Sequence, residues 1–378
     1  MKHLLVFLLI AATFTQCSTD VDLTAPYEDI TVVYGLMDQT QDIQFVKINK
    51  AFLGDAALAD MAQVRDSIEY DEGQILSKRI EEWSGNSLIR EFELKDTLVT
   101  AVNPTIFYNP GFTDPERTVF YFETPSGFSP DNEYRLVIDF ENKESVTAST
   151  VLITNNPVGI TNPSQNNPAP QISFATSQSS INGSYPNFTF RWFPEDGAKR
   201  YELSLEFTYI EHLWTTESHT NLVSSEEKVL SWNLGSVIVP ENAGGDNLDK
   251  VINGEQFYTF VASQLEVNPL VTREVGVLNE EVAINYYSVF NFVLAVGDED
   301  LNSYIEFSEP VTSLAQEKPQ WTNVNNGQGL FSSRLIQMSD NVKIENNSLR
   351  ELCTGQHTFG LNFCTKDLAY DDETYFCN

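Results

Sequence analysis

Apolar and polar residues alternate with a period of two along much of this chain, the pattern of half-buried strands. Tyr134, Leu136, Ile138 and Phe140 fall on one face, and Glu141-Asn142-Lys143-Glu144 turns the chain. Val146, Ala148, Thr150 and Leu152 then line a return strand. The alternation recurs in Phe188, Phe190 and Trp192, and again in Tyr201, Leu203, Leu205, Phe207 and Tyr209 opposite polar neighbours. Ile30 to Met37 and Ile43 to Phe52 read as strands around a turn, 64–98 as a meander of short strands, and Tyr286 to Val296 as a further strand. Two stretches depart from this period. Asp55 is placed to cap a short helix through Ala56, Leu58, Met61 and Ala62. Phe257, Phe260, Val261 and Leu265 have helical spacing, which predicts a helix over Glu255 to Leu265.

The pattern stops between Asn155 and Pro170, where Pro157, Pro163, Pro168 and Pro170 stand among asparagines. A linker over 155–172 therefore divides the chain. A mainly β fold is expected, with two immunoglobulin- or fibronectin-like β-sandwich domains, over 30–154 and 173–335, and one or two short helices inserted. A tyrosine opening a late strand, as Tyr134 does, resembles such sandwiches. Trp192, the Pro194-Glu195-Asp196-Gly197 turn and Tyr201-Glu202-Leu203-Ser204-Leu205 resemble the middle of a fibronectin type III domain, with Trp192 expected in the core.

The amino terminus is different. Lys2 and His3 precede an apolar run from Leu4 to Phe14, shorter than the ~20 residues of a membrane span. Cys17 then opens a polar acidic stretch. A charged start, a short apolar middle and a processing site form a secretory signal over 1–16. With cysteine at the cleavage point, it resembles a bacterial lipoprotein signal. The resemblance implies a lipid on Cys17 and a tether over 17–29. Phe14-Thr15-Gln16-Cys17 departs from that pattern at Gln16, and an ordinary secretory signal cut nearby is the alternative. Export makes a disulfide expected among Cys353, Cys364 and Cys377 in the 336–378 tail, with the pairing open.

Composition narrows the partners. The 378 residues include 25 Phe, 15 Tyr and 5 Trp, an aromatic content that favours sheet. The 22 basic and 54 acidic residues give a net charge of −32, which repels phosphate backbones and makes nucleic acid an unsuitable partner. Membrane contact is expected through the lipid alone.

Catalytic patterns find no support. There is no Gly-x-Ser-x-Gly elbow, and His212, His219 and His357 lack zinc-pair spacing. Asn326-Gly327-Gln328-Gly329 lacks the third glycine of a nucleotide loop and reads as a turn. Asp298, Asp300, Asn302 and Glu309 have the one-three-five-twelve spacing of a calcium loop. Ser303 stands where that loop wants glycine, and the flanks read as strand, so an acidic loop opened by Gly297 between strands explains the same residues. Asp66-Ser67-Ile68 and Asp96-Thr97-Leu98 resemble the O-glycosylation site of exported Bacteroidota proteins.

Three segments carry a broader resemblance: Tyr34-Gly35-Leu36 with Phe45 to Gly54, Gly297 to Ile305, and Asn326 to Arg334. They are similar to uncharacterised Bacteroidota cell-surface lipoproteins, a family without an established activity. The resemblance implies an address at the outer membrane, and Asp20 and Asp22 resemble a surface-export signal of that phylum. The expected function is binding, not catalysis: capture of a nutrient or glycan, or docking on an outer-membrane transporter. A fimbrillin-like adhesin subunit is the alternative, and a carboxylate-pair glycosidase a weaker one, since nothing singles out a pair among so many acids.

Overall fold

The computed structural model describes residues 30–51, 68–71, 73–100, 116–125, 127–154, 159–164, 170–240, 246–276, 289–308, 321–365 and 377. Cys17, Asp66, Ser67, Glu309 and the helix expected over Ala56 to Ala62 lie outside them.

In chain order the first strands are β1 (Thr31–Asp38), β2 (Ile43–Lys50), β3 (Ile75–Ser84), β4 (Ser87–Glu93) and β5 (Lys95–Thr100). Then come β6 (Glu116–Glu123), β7 (Glu133–Phe140), β8 (Val146–Val151), β9 (Ile160–Asn162) and β10 (Gln171–Ile172). A short helix α1 (Ser179–Asn182) precedes β11 (Asn187–Trp192), β12 (Arg200–Trp214), β13 (Leu222–Ile238) and β14 (Leu248–Asn253). The rest is α2 (Glu255–Gln264), β15 (Val271–Glu274), β16 (Phe290–Gly297), α3 (Glu299–Ser308), β17 (Gly327–Ile344), α4 (Asn346–Thr354) and β18 (Phe363–Cys364).

This is a mainly β chain with few helices. One large sheet has the order β18-β15-β12-β16-β17-β1-β2-β6-β5, with β13 on β12 and β10 on β17. Two smaller sheets, β4-β3-β7-β8 and β14-β11-β9, complete the strands. The large sheet draws from both sides of the proline-rich stretch. Its joint is β17, whose Gly327 to Arg334 pairs in parallel with β1 and whose Arg334 to Val342 pairs antiparallel with β16.

Two apolar clusters result. The first joins Val33, Val46 and Phe122 to Ile80, Tyr134, Leu136 and Ile138, and takes Val324 and Phe331 from the far end of the chain. The second joins Leu203, Leu205, Phe207, Phe290 and Phe292 to Phe188, Phe190 and Trp192. Leu349, Leu352, Leu361 and Phe363 of the tail belong to it. Burying each large apolar side chain contributes roughly 1.5–3 kcal/mol, so the tail adds substantially to that core.

The sequence periodicities place these cores well. Tyr134, Leu136 and Ile138 are fully buried, as are Trp192 and Tyr201. Both tyrosines hold a loop to the strand that follows it. Tyr134 Oη accepts the Ser129 N–H at 2.9 Å, and Tyr201 Oη accepts the Glu195 N–H at 2.6 Å. Burial pushes the Tyr134 hydroxyl up to about 12 and raises that of Tyr201 as well. The helix expected over Glu255 to Leu265 is α2, with Phe257, Tyr258 and Val261 buried.

Two stretches differ from their reading: the linker expected over 155–172 contains β9, paired with β11, and β10, paired with β17, and the acidic run after Gly297 is helical. The residues after Gly297 form helix α3, not a loop leading into a strand. Asp298 explains the change: its Oδ1 accepts the Leu301 N–H at 2.9 Å, as a helix cap does. Glu299 and Asp300 then occupy the first turn, where the helix dipole favours negative charge. Acids that resembled metal ligands in the sequence start a helix.

Candidate functional site: an aromatic cleft

The three segments that stood out in the sequence meet at one place. In β1, Val33 and Met37 point into the first core, so alternation sends Tyr34 to the opposite face, where it is 42% exposed. The start of β17 lies alongside, with Tyr34 opposite Leu330 and Val32 opposite Gln328. Helix α3 supplies Tyr304 and Phe307, three residues apart and so on one side of the helix. Trp321 completes the group as the chain returns toward β17.

These residues border a cleft of about 540 Å³, which Ile30 and Val32 also line. That volume suits a small ligand or part of a larger one. Tyr304 meets Tyr34 edge to face at 5.9 Å between ring centroids, and Trp321 at 6.4 Å. Tyr304 Oη donates to Tyr34 Oη at 3.2 Å. Burial, followed by this hydrogen bond, pushes the Tyr34 hydroxyl up to about 12. It is therefore neutral throughout the physiological range.

The supports of the cleft are polar and specific. Asp298 joins α3 to β17: its Oδ2 accepts the Ser333 N–H at 2.9 Å, and its Oδ1 also accepts from Ser332 Oγ. Asn323 fixes the segment carrying Trp321. Its Nδ2 donates to Phe331 O at 2.7 Å and to Asp300 Oδ2 at 2.8 Å, while its Oδ1 accepts the Phe331 N–H at 3.0 Å. Burial raises the Asp300 carboxyl above its ordinary range, with Asn323 opposing that shift. Gly329 also lines the cleft. Its φ is +108°, and a Cβ there would lie 2.0 Å from Val33 O, so only glycine lets β17 approach β1 this closely.

The lining contains no Asp, Glu, Lys, Arg or His among the described residues, although the chain carries a net charge of −32. Its chemistry is ring faces, hydroxyls and one carboxamide. The Gln328 side chain and the Trp321 indole N–H make no hydrogen bond among the described residues.

The other sequence candidates fall elsewhere. Asp298, Asp300 and Asn302 bond to separate protein partners: Asn302 Nδ2 donates to Glu306 at 3.1 Å, and its Oδ1 accepts from Arg200 at 3.4 Å. Among the described residues no group of three or more His, Cys, Asp or Glu is placed to hold a metal ion. Cys364 is bonded to Cys377, and Cys353 is a buried free thiol whose pKa burial pushes up. Asp96, Thr97 and Leu98 lie in β5. Trp83 carries Arg135 over its ring, Trp214 donates to Thr272, and Trp232 stacks on Phe260.

Two groupings escaped the sequence reading. Tyr304, Phe307 and Ser308 have the i, i+3, i+4 spacing of one helix face, a signal masked by reading the acidic run as a loop. His212 stands between Ser225, at 2.7 Å from Nδ1, and Glu274, at 2.9 Å from Nε2. It bridges neighbouring strands, and exposed Ser225 is outside the lining of the cleft.

No family model and no curated protein matches the sequence. Among solved structures, the chain is similar to the C-terminal globular domain of an oligosaccharyltransferase from Pyrococcus abyssi, at 13% identity and a TM-score of 0.19. The match covers 66% of this chain and 47% of that one, so it spans about half of that structure's length. At this score the likeness carries no argument about fold or function. Among the described residues no helix is long and apolar enough to cross a membrane.

Proposed function

We propose that this chain is a cell-surface binding protein, held at the outer membrane by a lipid on Cys17, that offers the aromatic cleft to a ligand as an accessory to uptake. The observation that carries the reading is the convergence of Tyr34, Tyr304, Phe307 and Trp321 on a cleft whose described lining is uncharged, within a strongly acidic chain. Its described lining supports binding over catalysis, because it offers rings and one carboxamide where acid–base chemistry would want carboxylates or imidazoles. Ile30 lines the cleft, thirteen residues beyond Cys17. A fully extended tether of that length reaches roughly 45 Å, so the cleft would stay close to the membrane and to any transporter within it. The test is metabolic palmitate labelling with protease treatment of intact cells. Labelling of the wild type but not of Cys17→Ala, with the protein digested from outside, supports the reading. Equal labelling of both, or protection from protease in intact cells, contradicts the address.

A second reading rests on β13. This strand has 17 residues and, among the described residues, pairs only with β12. Leu222, Val223, Val229 and Ile238 along it are exposed. A long edge with apolar side chains is suited to accept a strand from another copy, as in a fimbrillin-like subunit. Filaments from the purified, proteolytically trimmed protein would favour it, and a monomer under the same conditions would exclude it.

A further inference from the structure

Resting on the reading that the cleft is the binding site, we infer that its ligand is a neutral pyranose oligosaccharide. The C–H-bearing face of a pyranose ring is apolar and carries slight positive charge, which complements the negative face of an aromatic ring. Tyr34, Phe307 and Trp321 offer such rings at the cleft. The same lining also offers the opposite chemistry. Among the described residues the Gln328 carboxamide and the Trp321 indole N–H have no hydrogen-bond partner, which leaves both to meet sugar hydroxyls.

Two other ligand classes fit less well. A uronate or sulfated glycan would bring negative charge to an acidic chain, against a lining that has no cation among the described residues to receive it. Desolvating an unpaired charge is costly. A wholly apolar ligand would cover the Gln328 amide and the indole N–H without satisfying them, which costs free energy for each group. A neutral sugar fits both the rings and the amide.

The experiment is calorimetry, with tryptophan fluorescence, on the mature full-length chain. The neutral probes are cellohexaose, maltohexaose, xylohexaose and mannohexaose. Hexagalacturonate is the anionic probe and N-phenyl-1-naphthylamine the apolar one. Trp321→Ala and Gln328→Ala test the cleft, melting curves confirm that each is folded, and Trp83→Ala is the control outside it. The expected result is binding of at least one neutral probe, weakened roughly tenfold in Trp321→Ala and unchanged in Trp83→Ala. If only hexagalacturonate or the naphthylamine binds, and does so through Trp321, the sugar class is wrong and the cleft remains the site. If no probe binds at about 1 mM, or binding is indifferent to Trp321, both the ligand class and the cleft reading fail.

Discussion

The carboxylate of Asp298 accepts the backbone N–H of Ser333 at 2.9 Å, across 35 residues of sequence. The same side chain caps helix α3 through Leu301 N–H. One residue thus starts the helix that carries Tyr304 and Phe307 and fastens it to the strand that carries Gln328. Replacing it with alanine removes a cap, worth about 1 kcal/mol, and leaves the Ser333 N–H without its acceptor. Asp298→Ala should therefore lose about 2–3 kcal/mol in denaturant melts. A loss under about 0.5 kcal/mol would mean that α3 is held by something else.

Gly329 and Gly183 both have positive φ, +108° and +68°, but differ in their surroundings. A Cβ at Gly183 meets nothing within 4 Å, whereas one at Gly329 meets Val33 O at 2.0 Å. Gly183→Ala should cost about 1 kcal/mol, from backbone strain alone. Gly329→Ala must also push β17 away from β1 and should cost about 3 kcal/mol or more. Equal melting temperatures for the two variants would contradict the close parallel pairing.

The fold was legible in the sequence wherever one strand had one buried face. Tyr134-x-Leu136-x-Ile138 and Tyr201-x-Leu203-x-Leu205 show this, since period-two burial depends on local residues. The pairing of β1 with β17 was not legible. It joins Tyr34 to Leu330, nearly the length of the chain apart, and neither strand's own pattern names its partner. The site was half visible: Tyr34, Tyr304 and Gln328 lay in the three segments singled out, but their convergence is a property of that pairing. Phe307 was missed because Asp298 and Asp300 are equally good as metal ligands and as a helix start. Spacing alone does not separate the two, and only the bond from Leu301 N–H to Asp298 does.

Asp139 gives a pH-dependent test. Hydrogen bonds from Ser145 and Ser77, then Arg79, hold its carboxyl at about 2, below the ordinary 3.8. A carboxyl depressed on folding stabilises the native state above its ordinary pKa, and that contribution fades as pH falls through the folded value. Asp139→Asn should melt below the wild type at pH 6, by no more than about 3 °C given its exposure. The gap should close between about pH 4 and pH 2. A gap that widens on acidification would reverse the sign and refute the network around Asp139.

The bond between Cys364 and Cys377 spans 13 residues. Closing a loop of that size stabilises by about 3 kcal/mol in the chain-entropy model. Cys377→Ser should lower stability by up to that amount, and non-reducing peptide mapping should link Cys364 to Cys377 with Cys353 unmodified. A peptide linking Cys353 to either partner would contradict the arrangement of the tail.

The most direct test of the central claim, that the cleft between β1 and α3 binds ligand, is fluorine NMR of the protein carrying 5-fluorotryptophan. The chain has 5 Trp, and their resonances are assigned by single replacement with phenylalanine. On addition of the neutral oligosaccharides, the Trp321 resonance should shift in a saturable way while Trp83 and buried Trp192 stay in place. Movement of another tryptophan with Trp321 unmoved would put the binding surface elsewhere and contradict the account.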